Sequence, residues 1–315
     1  MTFIFLQLFN MDVLHCTWRW RMAYKTRPRP QEIIYSEALE NRFSFEISNS
    51  IIGYDGEALF AEWLYNLPNA CVLWDIHLSP KYKGEVQYDF IVNHELTVYH
   101  FDVKNYKGQY HYVNENLQNS YRRIIKNPEL QLQRAHEYLS HVINQFDSIY
   151  SVESYICFVN ETFYMEAPPK YPHWLMRPQI FHKLDELKVA NSNSANNRLL
   201  ADYLIRQHIE KEEIFKRVPI EHIRKGLKCP SCMKINAVKT EIIKFKCVLC
   251  NTTGKNADLI HFNLEELYVL KNAPIDMRDI QLFFPEIHRS SVQRVLAKYF
   301  IRLGASKKPS YVPKV

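Results

Sequence analysis

The sequence is poor in glycine and has no long apolar run. It contains 7 glycines in 315 residues, whereas 14% of its residues are aromatic, which excludes a disordered chain. The opening stretch MTFIFLQLFNM is too short to cross a bilayer, and it lacks the basic start and small-residue cleavage site of a signal peptide. We therefore expect a cytoplasmic protein without a membrane partner. Whether translation begins at Met1 or at Met22 stays open.

Length and charge point to several domains and a polyanionic partner. A chain of 315 residues with 47% hydrophobic content can bury a sizeable core, and its length suggests two or three domains. The net charge is +6. The final stretch is the most basic part, with Arg289, Arg294, Lys298, Arg302, Lys307, Lys308 and Lys314 against Glu286. This balance is a mild indication of nucleic acid as the partner.

Four of the seven cysteines form the pattern C-x₂-C-x₁₄-C-x₂-C, at Cys229, Cys232, Cys247 and Cys250. Two C-x-x-C turns can present four sulfurs to one tetrahedral Zn²⁺ at about 2.3 Å, with no position left open for chemistry. We therefore predict a structural zinc ribbon. Whether it only stabilises a small module or also docks nucleic acid or protein stays open, and the surrounding lysines slightly favour nucleic acid.

The order of elements before the cysteines predicts an α/β domain with a mixed sheet. Helices are expected near residues 31–40, in GYDGEALFAEWLYNL with Asp55 as its N-cap, and in NPELQLQRAHEYLSHVINQF. Strands are expected in ACVLWDIHL, EVQYDFIV, LTVYHFDVKNY and SYICFVN, and a short strand in RPQIF.

The stretch QYDFIVNHELTVYHFDVKNYKG predicts two strands joined by a tight turn, and it carries Asp89, Asp102 and Lys104. Alternation places Asp102 and Lys104 on one face, whereas the face of Asp89 depends on a register that the sequence leaves open. Two neighbouring carboxylates need a cation, and Mg²⁺ (or Mn²⁺) with its oxygen ligands is the natural one. Lys104 would then orient an attacking water or bind a phosphate. An exposed Asp–Lys ion pair is the simpler alternative.

This ordered set of motifs resembles the nuclease-related domain (NERD) family, which has a PD-(D/E)XK-like fold. The resemblance covers roughly residues 51–147 and rests on GYDGE, GEVQYDFIV, FDVKNYKGQY and NPELQLQRA. It implies a restriction-endonuclease-like mixed sheet flanked by helices, and a nuclease site formed by Glu57, Gln87, Asp89, Asp102, Lys104 and Gln131. In this site Asp89 and Asp102 would hold Mg²⁺. The family usually has Glu in the position of Asp102.

The stretch PIDMRDIQLFFPEIHRSSVQRVLAKYFIRLG predicts a helix-turn-helix-like module. Its first helix would bury Ile275, Ile280, Leu282 and Phe283, and its second would begin at Ser290 as N-cap. Ser291, Gln293, Arg294 and Lys298 would stay exposed toward base edges and phosphates. A plain helical cap on the ribbon is the alternative.

The sequence therefore predicts five segments: a basic arm (1–50), a nuclease-like domain (51–190), a helical linker (191–225), a zinc ribbon (226–254) and a helical tail (258–315). We expect a Mg²⁺-dependent phosphodiesterase that acts on nucleic acid, with DNA as the expected polymer. A non-catalytic nucleic-acid-binding protein that retains the fold is the main alternative, and an adaptor that binds protein through the ribbon is a third. The sequence does not give the oligomeric state.

Overall fold

The computed structural model describes residues 23–43, 49–64, 67–68, 70–79, 84–167, 169–189, 194–211, 215–304 and 308–314. The opening segment with both candidate start methionines and most of the predicted KYKG turn lie outside these residues. The described chain forms two compact units. The first unit contains residues 23–28 and 49–211, and the second contains residues 29–43, 215–304 and 308–314.

The described helices, in chain order, are α1 (Gln31–Leu39), α2 (Asn49–Leu64), α3 (Glu129–Phe146), α4 (Arg177–Val189), α5 (Ser194–Gln207), α6 (Asn256–Lys271), α7 (Met277–Phe283) and α8 (Arg289–Tyr299). The strands are β1 (Ala23–Lys25), β2 (Cys71–Leu78), β3 (Val86–His94), β4 (Thr97–Lys104), β5 (Gln109–Val113), β6 (Asn116–Asn119), β7 (Ile124–Ile125), β8 (Ser151–Phe158), β9 (Tyr164–Met165), β10 (Trp174–Met176), β11 (Val238–Thr240), β12 (Lys244–Cys247), β13 (Thr253–Lys255), β14 (Ile275–Asp276), β15 (Phe300–Leu303) and β16 (Ser310–Pro313). None of the helices in these described stretches is both long and apolar enough to cross a membrane.

A six-stranded mixed sheet, in the order β1-β2-β3-β4-β8-β10, forms the centre of the first unit. The β2–β3 and β3–β4 pairs are antiparallel, whereas β1–β2, β4–β8 and β8–β10 are parallel. The predicted α/β class with a mixed sheet is thereby confirmed. A smaller sheet, in the order β7-β6-β5-β9, comes mostly from the chain between β4 and α3.

Helices cover both faces of the central sheet. Phe60 of α2 packs against Phe90 and Phe101, with ring centroids 5.2 and 5.4 Å apart. The neighbouring residue Ile91 points to the other face, where it joins a core that contains Leu139 of α3 and residues of α5. This sandwich fixes the hairpin β3–β4 rigidly between two helical layers.

The second unit is organised around α6. Buried residues of α1, α6, α7 and α8 share one core, which also includes Phe245 of the ribbon strand β12. The ribbon sheet has the order β11-β12-β13, and the three strands that accompany α7 and α8 have the order β14-β16-β15. The sequence predicted the ribbon and the tail as separate modules, but a common apolar core joins them with residues of the predicted arm.

Several local predictions need correction. Asp55 does not cap a helix, because α2 already begins at Asn49. RPQIF is not a strand, since α4 begins at Arg177 and Pro178 suits a first helical turn. The stretch FIRL leaves the helix and forms β15.

Two details of the tail also differ from the prediction. The N-cap of α8 is His288, whose Nδ1 accepts a hydrogen bond from the Ser290 N–H at 3.3 Å. Leu282 is 62% exposed, whereas Ile275, Ile280 and Phe283 are buried. The apolar pattern therefore identified the buried side of this module except at one position.

Candidate functional site

The register of β3 and β4 places Asp89 beside Asp102. Phe90 pairs with Phe101 and Ile91 with His100, so the same register continued by one residue sets Asp89 opposite Asp102. One oxygen of Asp89 (Oδ2) accepts a hydrogen bond from the Val103 backbone N–H at 2.8 Å. The structure thus brings together the two carboxylates whose relation the sequence left open.

Lys104 is bound to Asp102. Its Nζ lies 2.8 Å from Oδ1 and 2.7 Å from Oδ2 of that carboxylate. Burial alone would lower the pKa of Lys104, but the charges of Asp102 and Asp89 raise it above its ordinary value. Lys104 therefore stays protonated and acts as a hydrogen-bond donor and a fixed positive charge.

Glu57 reaches this region from α2, and it is buried. Its Oε2 accepts hydrogen bonds from the Trp74 indole N–H at 2.8 Å and from the Arg27 guanidinium at 2.6 Å. Burial raises the pKa of Glu57, and the nearby charge of Asp75 adds to the rise, whereas Arg27 and Trp74 lower it in part. The helix thus supplies a carboxylate whose position is fixed by two donors.

Asp75 is a part of this region that the sequence interpretation missed. It lies in β2 with a left-handed φ of 61°. Its carboxylate contacts Arg27 Nε at 3.2 Å, His77 Nε2 at 3.0 Å and Gln87 Nε2 at 2.8 Å. Burial alone would raise the pKa of Asp75, but the hydrogen bond from His77 and the charge of Arg27 lower it. Asp75 therefore stays ionised and orients Gln87.

The sequence did contain a signal for Asp75. Leu73 and Ile76 belong to the same buried core, although strict alternation would put residues three apart on opposite faces of a strand. The left-handed residue between them changes the face of the strand. The pairing of β2 with β3 keeps one register on both sides of Asp75, so no extra residue is inserted there.

Arg27 is the second residue that the sequence interpretation missed. It follows β1, whose Lys25 donates hydrogen bonds to the backbone oxygens of Trp74 (3.0 Å) and Asp75 (2.8 Å). The guanidinium of Arg27 bridges Glu57 and Asp75. A segment that the sequence predicts only as a basic arm thus brings a cation between the carboxylates of Glu57 and Asp75.

The remaining predicted site residues are less closely involved. Gln87 donates a hydrogen bond to the carboxylate of Asp75, whereas Gln131 is exposed on α3. His100 shares a strand with Asp102, but it is buried, and burial lowers its pKa to about 4. Its ring packs edge-on against Tyr88. His100 is therefore a neutral, packed histidine at neutral pH.

Crowded negative charge dominates the electrostatics of this acidic group, which consists of Glu57, Asp75, Asp89 and Asp102. Burial raises the pKa of Asp89 well above its ordinary value, and the charges of Asp102 and Glu57 raise it further. A further cation near the group would relieve this repulsion.

The geometry suits a cation held by few protein ligands. Within the described stretches, only the four ribbon cysteines bring three or more His, Cys, Asp or Glu ligand atoms within 4.8 Å of one another. The acidic group therefore offers at most two carboxylates to one ion. Mg²⁺ is commonly bound in this way, by one or two carboxylates together with waters and substrate phosphate.

The four ribbon cysteines form a site that can bind zinc. Their ligand sulfurs all lie within 4.8 Å of one another, and two Sγ–Sγ distances are 3.7 Å. A tetrahedron with Zn–S bonds of about 2.3 Å has edges of about 3.8 Å, which these distances match. The hydroxyl and backbone N–H of Thr252 lower the pKa of Cys250 to about 6, which favours a thiolate.

The helical tail presents polar side chains on one surface. Val292, Val295 and Leu296 of α8 are buried, whereas Gln293, Arg294 and Lys298 are exposed. The antiparallel pair β15–β16 follows α8 directly. This arrangement leaves one side of the helix accessible to a partner.

Comparison with known proteins gives one match. Residues 52–159 match the family model of the nuclease-related domain. That range includes Glu57, Asp75, Asp89, Asp102 and Lys104. No curated protein and no solved structure shows a significant match. The match supports a nuclease-related domain that contains the whole acidic group.

Proposed function

We propose that the first unit is a metal-dependent nuclease that hydrolyses phosphodiester bonds of nucleic acid, with DNA as the substrate. The observation that carries this proposal is the pairing of Asp89 with Asp102 on adjacent strands, with Lys104 held at Asp102. The match of residues 52–159 to the nuclease-related domain supports it independently. The fold we propose is restriction-endonuclease-like, since a mixed sheet between helical layers carries the acids on its central hairpin.

In this proposal Asp89 and Asp102 hold Mg²⁺ (or Mn²⁺), which supplies Lewis acidity and a more acidic bound water. The donor set fits because carboxylate oxygens are the ligands that Mg²⁺ prefers. Lys104 donates hydrogen bonds to the phosphate oxygens on which charge develops. Glu57 adds negative charge beside the ion, Gln87 is oriented by Asp75 toward the substrate, and Gln131 contacts the substrate from α3.

The second unit would assist binding of the substrate. A Zn²⁺ ion in the ribbon would fix the fold of the basic segment around it. The tail would bind a duplex as a helix-turn-helix module, with Gln293 and Arg294 of α8 toward base edges and Lys298 toward phosphate. A cytoplasmic location belongs to the same proposal, because four closely spaced thiols favour a reducing compartment.

A non-catalytic nucleic-acid-binding protein is the second candidate. The position of Arg27 favours it, since the guanidinium already pairs with two of the four carboxylates and offsets part of their charge. In that case the acidic group would be a stabilised remnant of the fold and would not bind a divalent ion.

A cleavage assay separates the two candidates. The full chain is incubated with supercoiled, linear and single-stranded DNA and with RNA, in buffer freed of divalent ions or supplemented with Mg²⁺ or Mn²⁺. EDTA is avoided because it would also extract zinc. Asp89→Asn and Lys104→Met are tested alongside Asp185→Asn, an exposed aspartate of α4 that serves as the control.

The nuclease proposal expects cutting that needs the added ion and is lost about a thousandfold or more in both site variants but not in the control. Cutting that persists in Asp89→Asn would show a contaminating or different activity. DNA binding without any cutting would support the second candidate.

A further inference from the structure

The first unit carries an exposed aromatic and basic turn that the proposed chemistry does not use. Residues 120–123, called the basic turn here, connect β6 to β7 within the small sheet. Tyr121 is 90% exposed, compared with 60% for Tyr164 of the same sheet. Arg122 and Arg123 follow it directly, and both are exposed.

Hydrogen bonds hold the backbone of the basic turn in one conformation. The side-chain Oδ1 of Asn119 accepts from the N–H of Tyr121 at 3.1 Å and from that of Arg123 at 2.9 Å. The Arg122 carbonyl accepts from the Gln118 side chain at 3.2 Å, and Arg122 has a left-handed φ of 61°. A ring on such a turn is presented outward without the entropy cost of ordering a loose loop.

The charge around the basic turn has one sign. Residues 116–128 contain Arg122, Arg123 and Lys126 and no acidic residue. The ion pairs found within the described chain near this sheet involve other residues, such as Lys170 with Glu115 and His111 with Glu166. The three cations are therefore available to an anionic partner.

The basic turn lies at the end of the small sheet where β5 begins. In sequence, this end is the closer one to Lys104. β5 begins shortly after Lys104, and Tyr110 of β5 pairs with Asn119, directly before the turn. At about 3.6 Å per residue and about 5.5 Å across a strand pair, Asn119 lies within roughly 27 Å of Lys104. A nucleic-acid strand of a few nucleotides can span this distance.

We propose that the basic turn binds a single-stranded segment of the nucleic-acid substrate, with one base stacked on Tyr121 and the adjoining phosphates on Arg122 and Arg123. An exposed ring with neighbouring cations is the arrangement by which proteins bind single strands without reading their sequence. The bases inside a duplex are already stacked on each other and cannot cover Tyr121. This proposal rests on the proposed function only for the identity of the polymer as nucleic acid.

Binding is tested in the full-length, zinc-loaded Asp89→Asn protein, which avoids cleavage of the probe. A fluorescently labelled oligo-dT strand and a duplex of the same length are titrated by anisotropy. We expect Tyr121→Ala to weaken binding of the single strand about tenfold and to leave duplex binding unchanged. Tyr121→Phe, which keeps the ring, should stay within about twofold of the parent.

Two further variants sharpen the test. Tyr164→Ala removes another exposed tyrosine of the same sheet, on β9 at the opposite edge, and should have no effect. Arg123→Gln should reduce the slope of log affinity against log salt by about 0.7, because one phosphate contact is lost.

A cross-linking measurement shows whether the single strand binds at the basic turn or at the second unit. An oligonucleotide that contains 5-iodouracil is photo-cross-linked to the same protein, and the modified peptide is identified by mass spectrometry. Cross-links at Tyr121 support the proposal. Equal single-strand affinity of Tyr121→Ala and its parent, or cross-links found only outside residues 116–128, would overturn it, whether or not the protein cuts DNA.

Discussion

Each unit buries a group of charged side chains. The two groups differ in how far the surrounding fold satisfies those charges. In the second unit, Glu266 lies between Arg42 Nη2 (3.0 Å) and Lys228 Nζ (2.6 Å), and both cations are fully buried. Backbone oxygens and Asn263 accept the remaining donors of Arg42. The group therefore has two cations against one carboxylate, but neutral backbone and amide oxygens accept the hydrogen bonds that Glu266 does not.

The acidic group of the first unit has too few cations. Glu57, Asp75, Asp89 and Asp102 face two permanent cations, Arg27 and Lys104, together with the His77 ring at Asp75, and burial together with the neighbouring carboxylates raises the pKa of Asp89. Charged groups whose hydrogen bonds are all made within the fold need no further partner, whereas crowded carboxylates with raised pKa values are typical of a binding or catalytic site. The comparison thus supports the proposal that the acidic group, rather than the group around Glu266, is the functional one.

The largest effect is expected from removal of the metal proposed for the ribbon. The four adjacent thiols need a metal ion as their common partner. Cys247→Ala should lower the zinc content below one per chain and unfold the second unit, since structural zinc contributes about 10 kcal/mol or more to such modules. Metal analysis and limited proteolysis measure both. Cys71→Ala in the first unit is the control, and a full zinc content in Cys247→Ala would contradict the site.

The charged group of the second unit can be broken at its single anion. Glu266→Gln leaves Arg42 and Lys228 buried without a carboxylate, so we expect a loss of about 3–5 kcal/mol in the free energy of unfolding. Denaturant titration measures this loss. Glu241→Gln, an exposed position of the same unit, should stay within about 0.5 kcal/mol of the parent. A small effect at Glu266 would remove the contrast between the two groups.

The excess charge of the acidic group can be relieved at Asp89. In the zinc-loaded protein without Mg²⁺ or Mn²⁺ we expect Asp89→Asn to raise the free energy of unfolding at pH 7 by about 1–2 kcal/mol, because it removes a repelled carboxylate. The same variant should lose the stabilisation that Mg²⁺ or Mn²⁺ gives to the parent. Thermal unfolding with and without the ion measures both effects, and destabilisation of the zinc-loaded variant without the ion would contradict the expected repulsion.

The pH dependence of the parent follows from the same group. Asp89 and Glu57 have raised pKa values in the folded state, so the folded chain binds more protons than the unfolded chain above pH 4. Their contribution to stability is therefore present at low pH and is lost as pH rises through the folded pKa values. The difference in stability between Asp89→Asn and the parent should grow from pH 5 to pH 8, and a constant difference would contradict this origin.

The smallest effect is expected from Arg27, the cation that already offsets part of the acidic group. Arg27→Met should strengthen Mn²⁺ binding about fivefold, which corresponds to roughly 1 kcal/mol of removed repulsion. Titration calorimetry with the zinc-loaded protein measures the affinity, and Lys188→Met on the exposed side of α4 serves as the control. Weaker binding would instead show that Arg27 is needed to orient Glu57.

Local patterns in the sequence predicted the hairpin and the cysteine cluster well. Period-two alternation defined β3 and β4, and the C-x-x-C spacing alone defined the cysteine cluster that the structure contains. Both features depend on residues that are close along the chain, or on motifs that carry their own geometry.

Long-range pairing explains what the sequence did not predict. Asp75 and Arg27 meet because β1 pairs with β2 across almost 50 residues, and no local pattern encodes that pairing. The ribbon and the tail share a core with α1 for the same reason. The register of Asp89 with Asp102 needed the three-dimensional fold as well, since a slip by one residue would reverse the faces.

The most direct measurement is the position of Mn²⁺ in crystals of the zinc-loaded protein soaked with that ion. An anomalous difference map separates manganese from zinc by its absorption edge. The account expects a manganese peak bound by carboxylate oxygens of Asp89 and Asp102, and a separate zinc peak among the four cysteines. Saturating Mn²⁺ without a peak at Asp89, with Lys104 still bound to Asp102, would contradict the claim that the acidic group is a divalent-ion site.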